Sequence, residues 1–177
     1  MKARYLVPLG IFLVVLVFLY LGLGRNPREV PSVLINKPAA AFSLPDLFDP
    51  SKTVDSASMK GRVWLLNVWG TWCGECWREH EFMVYLAKQE GVPIVGIDWR
   101  DDAEEARKMI AQNGNPFLAV GSDPESRAIM NYGVYGAPET FLIDREGMIR
   151  WKHAGAINEE IWREELRPLL TKYREAK

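Results

Sequence analysis

"GRVWLLNVWGTWCGECWREHEF", residues 61–82, changes character at its midpoint. Its first ten residues carry a nearly unbroken apolar run, the pattern of a strand buried on both faces. From Gly74 onward the pattern turns amphipathic, with Phe82, Tyr85 and Leu86 at helical spacing and Gly91 placed to end a helix. Both cysteines of the 177-residue chain, Cys73 and Cys76, fall directly after the strand and at the start of the helix.

Working outward, the chain keeps alternating. "VPIVGID" (92–98) reads as a second buried strand. "DDAEEARKMIAQNG" (101–114) reads as a helix, with its acids first and its bases later, as the helix dipole favours. "PFLAV" (116–120) reads as a short strand, and "DPESRAIMNYG" (123–133) as a helix opened by an Asp cap and a proline. "ETFLIDREGMIRWKHAG" (139–155) forms a hairpin about its Glu-Gly turn, and Asn158 caps a closing helix. "FSLPDLFDP" (42–50) suits an edge strand, because Pro45 cannot donate to a ladder. Strand–helix–strand units imply a parallel core, and the hairpin adds antiparallel strands. The expected fold is α/β, a mixed central sheet flanked by helices, over residues 39–177.

In front of this domain, "YLVPLGIFLVVLVFLYLGLG" (5–24) holds no charged residue. About 20 apolar residues at ~1.5 Å rise span a bilayer core of ~30 Å. The run exceeds the ~7–15 residues of a signal-peptide core, and no A-x-A cleavage site follows it. We read residues 1–24 as one uncleaved transmembrane anchor and residues 25–38, with three prolines, as a tether. Lys2 and Arg4 before the run balance Arg25 and Arg28 after it, and the α-amino group tips the N-terminus inward. The domain then faces outward. Beyond residue 30 the chain carries 18 Lys+Arg and 22 Asp+Glu, net −4, which argues against a nucleic-acid partner.

Two cysteines three positions apart admit three chemistries. Structural zinc needs four Cys or His ligands, and besides the pair only His80 and His153 exist, without the usual spacing. A structural staple closing so short a loop stabilises little. A redox pair uses the position itself. The helix start offers free N–H groups and a partial positive charge that favour a thiolate on the first cysteine. The second, one turn on, can attack a mixed disulfide. Cys73 is thus the expected nucleophile and Cys76 the resolving thiol, with no metal and no cofactor. The tryptophans at 64, 69, 77, 99, 151 and 162 are expected to pack rather than react.

Trp72 before the first cysteine sharpens the pattern: "NVWGTWCGEC" resembles the strand–WCxxC–helix signature of the thioredoxin superfamily. "GVYGAPETFLID" (133–144) is a second likeness, which implies that Pro138 is a cis-proline beside the cysteines. It also implies that Trp72, Ala137 and Pro138 bind an extended client segment. With "WCxxCxxEH" (72–80) and "GIDWRDD" (96–102) behind a single anchor, residues 36–173 most closely resemble the CcmG/DsbE proteins. That resemblance implies a redox-active Cys73–Cys76 disulfide in a domain facing the periplasm from the inner membrane. Its task would be reduction of the CxxCH cysteines of apocytochrome c, with electrons from a membrane donor of the DsbD/CcdA type. The alternatives are a general anchored reductase for other clients and a non-redox apocytochrome chaperone.

Some positions depart from the pattern. Glu75, where many relatives carry a neutral residue, disfavours the thiolate and should make the couple more reducing, against a DsbA-like oxidant. Asn67 stands where thioredoxins have a buried Asp and cannot take a proton. Glu139, next to Pro138, is the candidate replacement as catalytic base, with client recognition as its alternative role. Glu79 and His80, by contrast, match the family pattern and are read as solvated helix positions. A peroxiredoxin signature would need proline and threonine where Leu66 and Gly70 stand.

Overall fold

The computed structural model describes residues 3–23 and 33–175. It divides into two units, Met1–Pro31 and Ser32–Lys177. In the first, α1 spans Ala3–Leu23. Its described side chains run only from residue 7 to residue 21, all exposed. Among the described residues no helix is long and apolar enough to cross a membrane. The expected transmembrane span is therefore not supported by the described residues. Most of the expected tether lies outside the described residues. Its last part is already bound to the domain, since Asn36 N–H donates to Ile149 O at 2.7 Å.

The second unit is built on a five-stranded sheet, whose strands are β3 (Trp64–Trp69), β4 (Ile94–Trp99), β5 (Ala119–Asp123), β6 (Glu139–Ile143) and β7 (Ile149–Ala154). Their spatial order is β5-β4-β3-β6-β7. β3, β4 and β5 run parallel, joined by the helices α2 (Gly74–Lys88) and α3 (Ala103–Asn113), while β6 and β7 are antiparallel. This is the mixed sheet expected from the alternation. The chain closes with α4 (Glu159–Ile161), a π turn over Trp162–Leu166, and α5 (Arg167–Glu175), begun by the Asn158 cap.

The central strands are buried at every position, as their apolar runs require. Leu65, Trp69, Ile94 and Leu142 pack on one face with Met83 and Leu86 of α2, Met109 and Ile110 of α3, and Trp162, Leu166 and Leu170. Leu66, Val68, Ile97 and Phe141 pack on the other with Phe42, Leu44, Val54, Ile129 and Tyr132. Among the described residues of this unit, that second face is covered by β1 (Ser43–Pro45), β2 (Thr53–Asp55) and short 3-10 turns. The helix expected over 123–133 is a 3-10 turn at Ile129–Tyr132. Asp123 ends β5 and turns the chain by accepting from the N–H groups of Arg127, Ala128 and Ile129. The expected strand at 116–120 lies three residues later for the same reason.

Candidate active site

β3 is paired on both sides, so its C-terminal end is held rigidly where the cysteine loop leaves it. Cys73 caps α2, its Sγ accepting from Cys76 N–H at 3.1 Å. The two cysteines form a disulfide, at 5% and 3% exposure. Three side chains fasten the loop before them. The Asp101 carboxylate accepts from both the N–H and the hydroxyl of Thr71. Trp77 Nε1–H donates to Thr71 O at 2.8 Å, and Trp72 Nε1–H donates to Trp99 O at 2.9 Å. Trp72 stands edge-on to Trp99 and half-exposed, a flat apolar surface beside the disulfide.

The opposite wall comes from β6. Val68 pairs with Glu139, which sets Ala137 and Pro138 beside the end of β3. The Ala137–Pro138 peptide bond is cis, as the likeness implied. The structure thus brings Trp72, Cys73, Cys76 and Pro138 to one end of the sheet.

Beneath Cys76 the structure departs from the sequence reading. Glu79 and His80 are buried, at 3% and 5% exposure, not solvated. Glu79 accepts from Asn67 Nδ2 at 3.0 Å and from Ile157 N–H at 2.8 Å. Burial raises its carboxyl to about 7, partly opposed by these two donors. His80 Nε2–H donates to Gly114 O at 2.8 Å, and burial lowers its pKa. A cavity of about 10 Å³, one water's worth, is lined by Asn67, Trp69, Cys76, Glu79, His80, Met83 and Phe117. The spacing Cys76, Glu79, His80, Met83 is one helical stripe facing the sheet. The sequence carried that signal, masked because its two middle members are polar.

A cysteine pair at a helix start, a cis-proline across from it and a buried acid below it form a thiol–disulfide exchange site, and the comparisons with known proteins agree. The Redoxin family model matches residues 34–169. The thiol:disulfide interchange protein DsbE of Allochromatium vinosum is 44% identical over 174 residues, covering 98% of this chain and 96% of that protein. The DsbE of Pseudomonas aeruginosa is 48% identical over 168 residues, covering 95% and 93%. The chain belongs to the DsbE family of thiol:disulfide oxidoreductases. Among solved structures, a thioredoxin-family thiol:disulfide interchange protein from Chlorobium tepidum superposes with a TM-score of 0.63 at 26% identity, covering 77% of this chain and 94% of that one.

Two acids of this family member sit differently from what their sequence positions suggest. Glu139 is buried, but its carboxylate lies 2.8 Å from Lys152 Nζ and accepts from Tyr135 N–H at 3.1 Å. It braces the segment leading into the cis-proline. Glu75 points outward and pairs with Arg78 at 2.5 Å, both side chains well exposed. An exposed pair of this kind is worth little, and Arg78 offsets much of the field that Glu75 exerts on the sulfurs. We expect Glu75→Gln to move the couple toward oxidising by no more than about 20 mV, measured by equilibration against dithiothreitol. A larger move would make Glu75 a principal determinant of the potential.

Proposed function

We propose that the protein is a membrane-anchored reductant facing the periplasm, which keeps the CxxCH cysteines of apocytochrome c reduced before haem attachment. The observation that carries the direction of transfer is the acidic, buried setting of the cysteine pair. A strong oxidant stabilises its reduced form through a thiolate. Here the sulfurs are nearly inaccessible and a buried carboxyl lies below Cys76. Burial and neighbouring acids both oppose the helix field that favours a thiolate, and a dithiol with less of that stabilisation gives up its electrons more readily. We expect the couple to lie nearer thioredoxin's ~ −270 mV than DsbA's ~ −120 mV.

The reaction runs in two displacements. The Cys73 thiolate attacks a client sulfur, the client disulfide breaks, and a mixed disulfide forms as one client thiolate leaves and takes a proton. Cys76 then passes its proton to the Glu79 carboxylate across the shared cavity and attacks Cys73 Sγ. The second client thiolate leaves, and the dithiol has become the disulfide. Two electrons pass to the client, to be replaced by a donor of the DsbD/CcdA type. A carboxyl held at about 7 can both take and return a proton near neutral pH. The base role expected of Glu139 is better assigned to Glu79, since Glu139 is already engaged by Lys152. Trp72, Ala137 and Pro138 would line the client's extended segment.

The client rests on resemblance: the words around the cysteines and the cis-proline, and the DsbE relatives. The anchor rests on the uncharged run 5–24 and on the uniformly exposed described side chains of α1. One experiment addresses both. Cys76→Ser should hold a client on Cys73, and mass spectrometry of the membrane fraction should find an apocytochrome c CxxCH peptide there. A spread of unrelated clients would favour a general reductase. Cytochrome assembly without any trapped disulfide would favour the chaperone. Recovery only in the soluble fraction would remove the anchor.

A further inference from the structure

Among the buried acids that the exchange chemistry leaves unused, Asp98 stands apart. Asp98 is the next-to-last residue of β4, in register with Trp69 of β3 and Ser122 of β5, and it is 1% exposed. Among the described residues neither of its carboxyl oxygens meets a hydrogen-bond donor. The polar group that does reach it is another carboxylate, that of Asp101. Two carboxylate oxygens cannot bond each other unless a proton lies between them. A buried acid without a donor of its own is accommodated if it serves as the donor.

Asp101 is the anchor of the cysteine loop. Its carboxylate takes both the N–H and the hydroxyl of Thr71, the latter at 2.6 Å, and also the N–H of Asp102 at 2.9 Å. Thr71 precedes Trp72 and Cys73, so the clamp sets where the exposed indole and the attacking sulfur stand. We propose that Asp98 is a positioning residue for thiol–disulfide exchange: its carboxyl O–H donates to Asp101, and this acid–carboxylate pair holds the Thr71 clamp in place. The proposal does not depend on which client is attacked.

A consequence is a loop that responds to alkali. Burial, reinforced by the Asp101 and Asp102 carboxylates, raises Asp98 to about 8, while Arg107 of α3 opposes this shift. Arg107 is itself engaged with Leu47 O at 2.9 Å. On β5, Asp123 is committed to three N–H groups; on α2 the cysteines of the oxidised protein do not titrate, and Glu79 titrates lower, at about 7. When Asp98 loses its proton, two carboxylates confront each other and Asp101 is driven from Thr71.

The test uses the oxidised full-length protein, labelled with nitrogen-15, so that no thiol contributes. The Thr71 amide and Trp72 indole N–H resonances should show one common step with a midpoint near pH 8. Asp98→Asn, whose amide N–H can donate to Asp101 at any pH, should keep the low-pH positions and lose the step. In the reduced proteins, the rate of Cys73 attack in wild type relative to Asp98→Asn should fall roughly 3- to 10-fold between pH 7 and 9.5. Should the variant fail to fold, the carboxyl carbon-13 shift of Asp98 in wild type must titrate together with the Thr71 amide. A Thr71 amide without a step, a step that survives in Asp98→Asn, or an Asp98 already ionised at pH 6 would each overturn the proposal.

Discussion

Cys73→Ser is expected to abolish disulfide reduction, with a loss of roughly 10³-fold or more, and to leave the fold in place. The two cysteines are not equivalent. Cys73 caps α2, where the free N–H groups and the helix field act on its sulfur, and Cys76 N–H already points at it. Cys76 lies one turn deeper, against the water-sized cavity. Removing the first sulfur therefore removes the attack itself, while removing the second stops the reaction at the mixed disulfide. Single-turnover assays with a model disulfide separate the two variants. Residual multiple turnover in Cys73→Ser would mean that Cys76 can initiate attack, and the assigned order of the two displacements would have to be reversed.

Glu79→Gln is expected to leave the first attack nearly unchanged and to slow resolution by about 10²-fold, so that mixed disulfide accumulates on quenching. The same variant carries a stability signature. Burial raises the folded-state carboxyl from 4.5 to about 7, so the folded protein holds a proton that the unfolded chain releases over that window. Stability present below about pH 4.5 is lost as pH rises to 7, by about 3 kcal/mol, and levels off above it. Gln cannot titrate, so this slope should vanish. Gln also offers one acceptor where Glu79 offers two, and one of Asn67 Nδ2–H and Ile157 N–H loses its partner. The variant should thus be less stable than wild type in acid by about 1–2 kcal/mol and should match or exceed it above pH 7. Urea unfolding of the oxidised proteins at both ends of the window gives the comparison. Wild-type resolution speed in the variant would return the base role to Glu139 or to solvent.

Much of the domain was legible in the chain. The buried runs at 61–70 and 92–98, the capped helix at 101–114 and the hairpin at 139–155 carry patterns that local geometry turns directly into elements. The cysteine pair was legible because a strand-to-helix switch places its own free N–H groups at the first sulfur. That is a local effect and needs no tertiary partner. The cis peptide before Pro138 came from a family likeness, not from the residues themselves.

What only the tertiary structure decided is the fate of the acids. A glutamate on an amphipathic helix is solvated by default, since burying it without donors is costly. Glu79 is buried because Asn67, twelve residues earlier, and Ile157, 78 residues later, bring donors to it. Glu139 went to Lys152 across the hairpin, Glu75 to Arg78 in solvent, and Asp98 to another acid. Each outcome depends on which donor or charge arrives from elsewhere in the chain. Hydrophobic periodicity reports which face of an element is buried, but it does not report the partner that makes a buried charge tolerable.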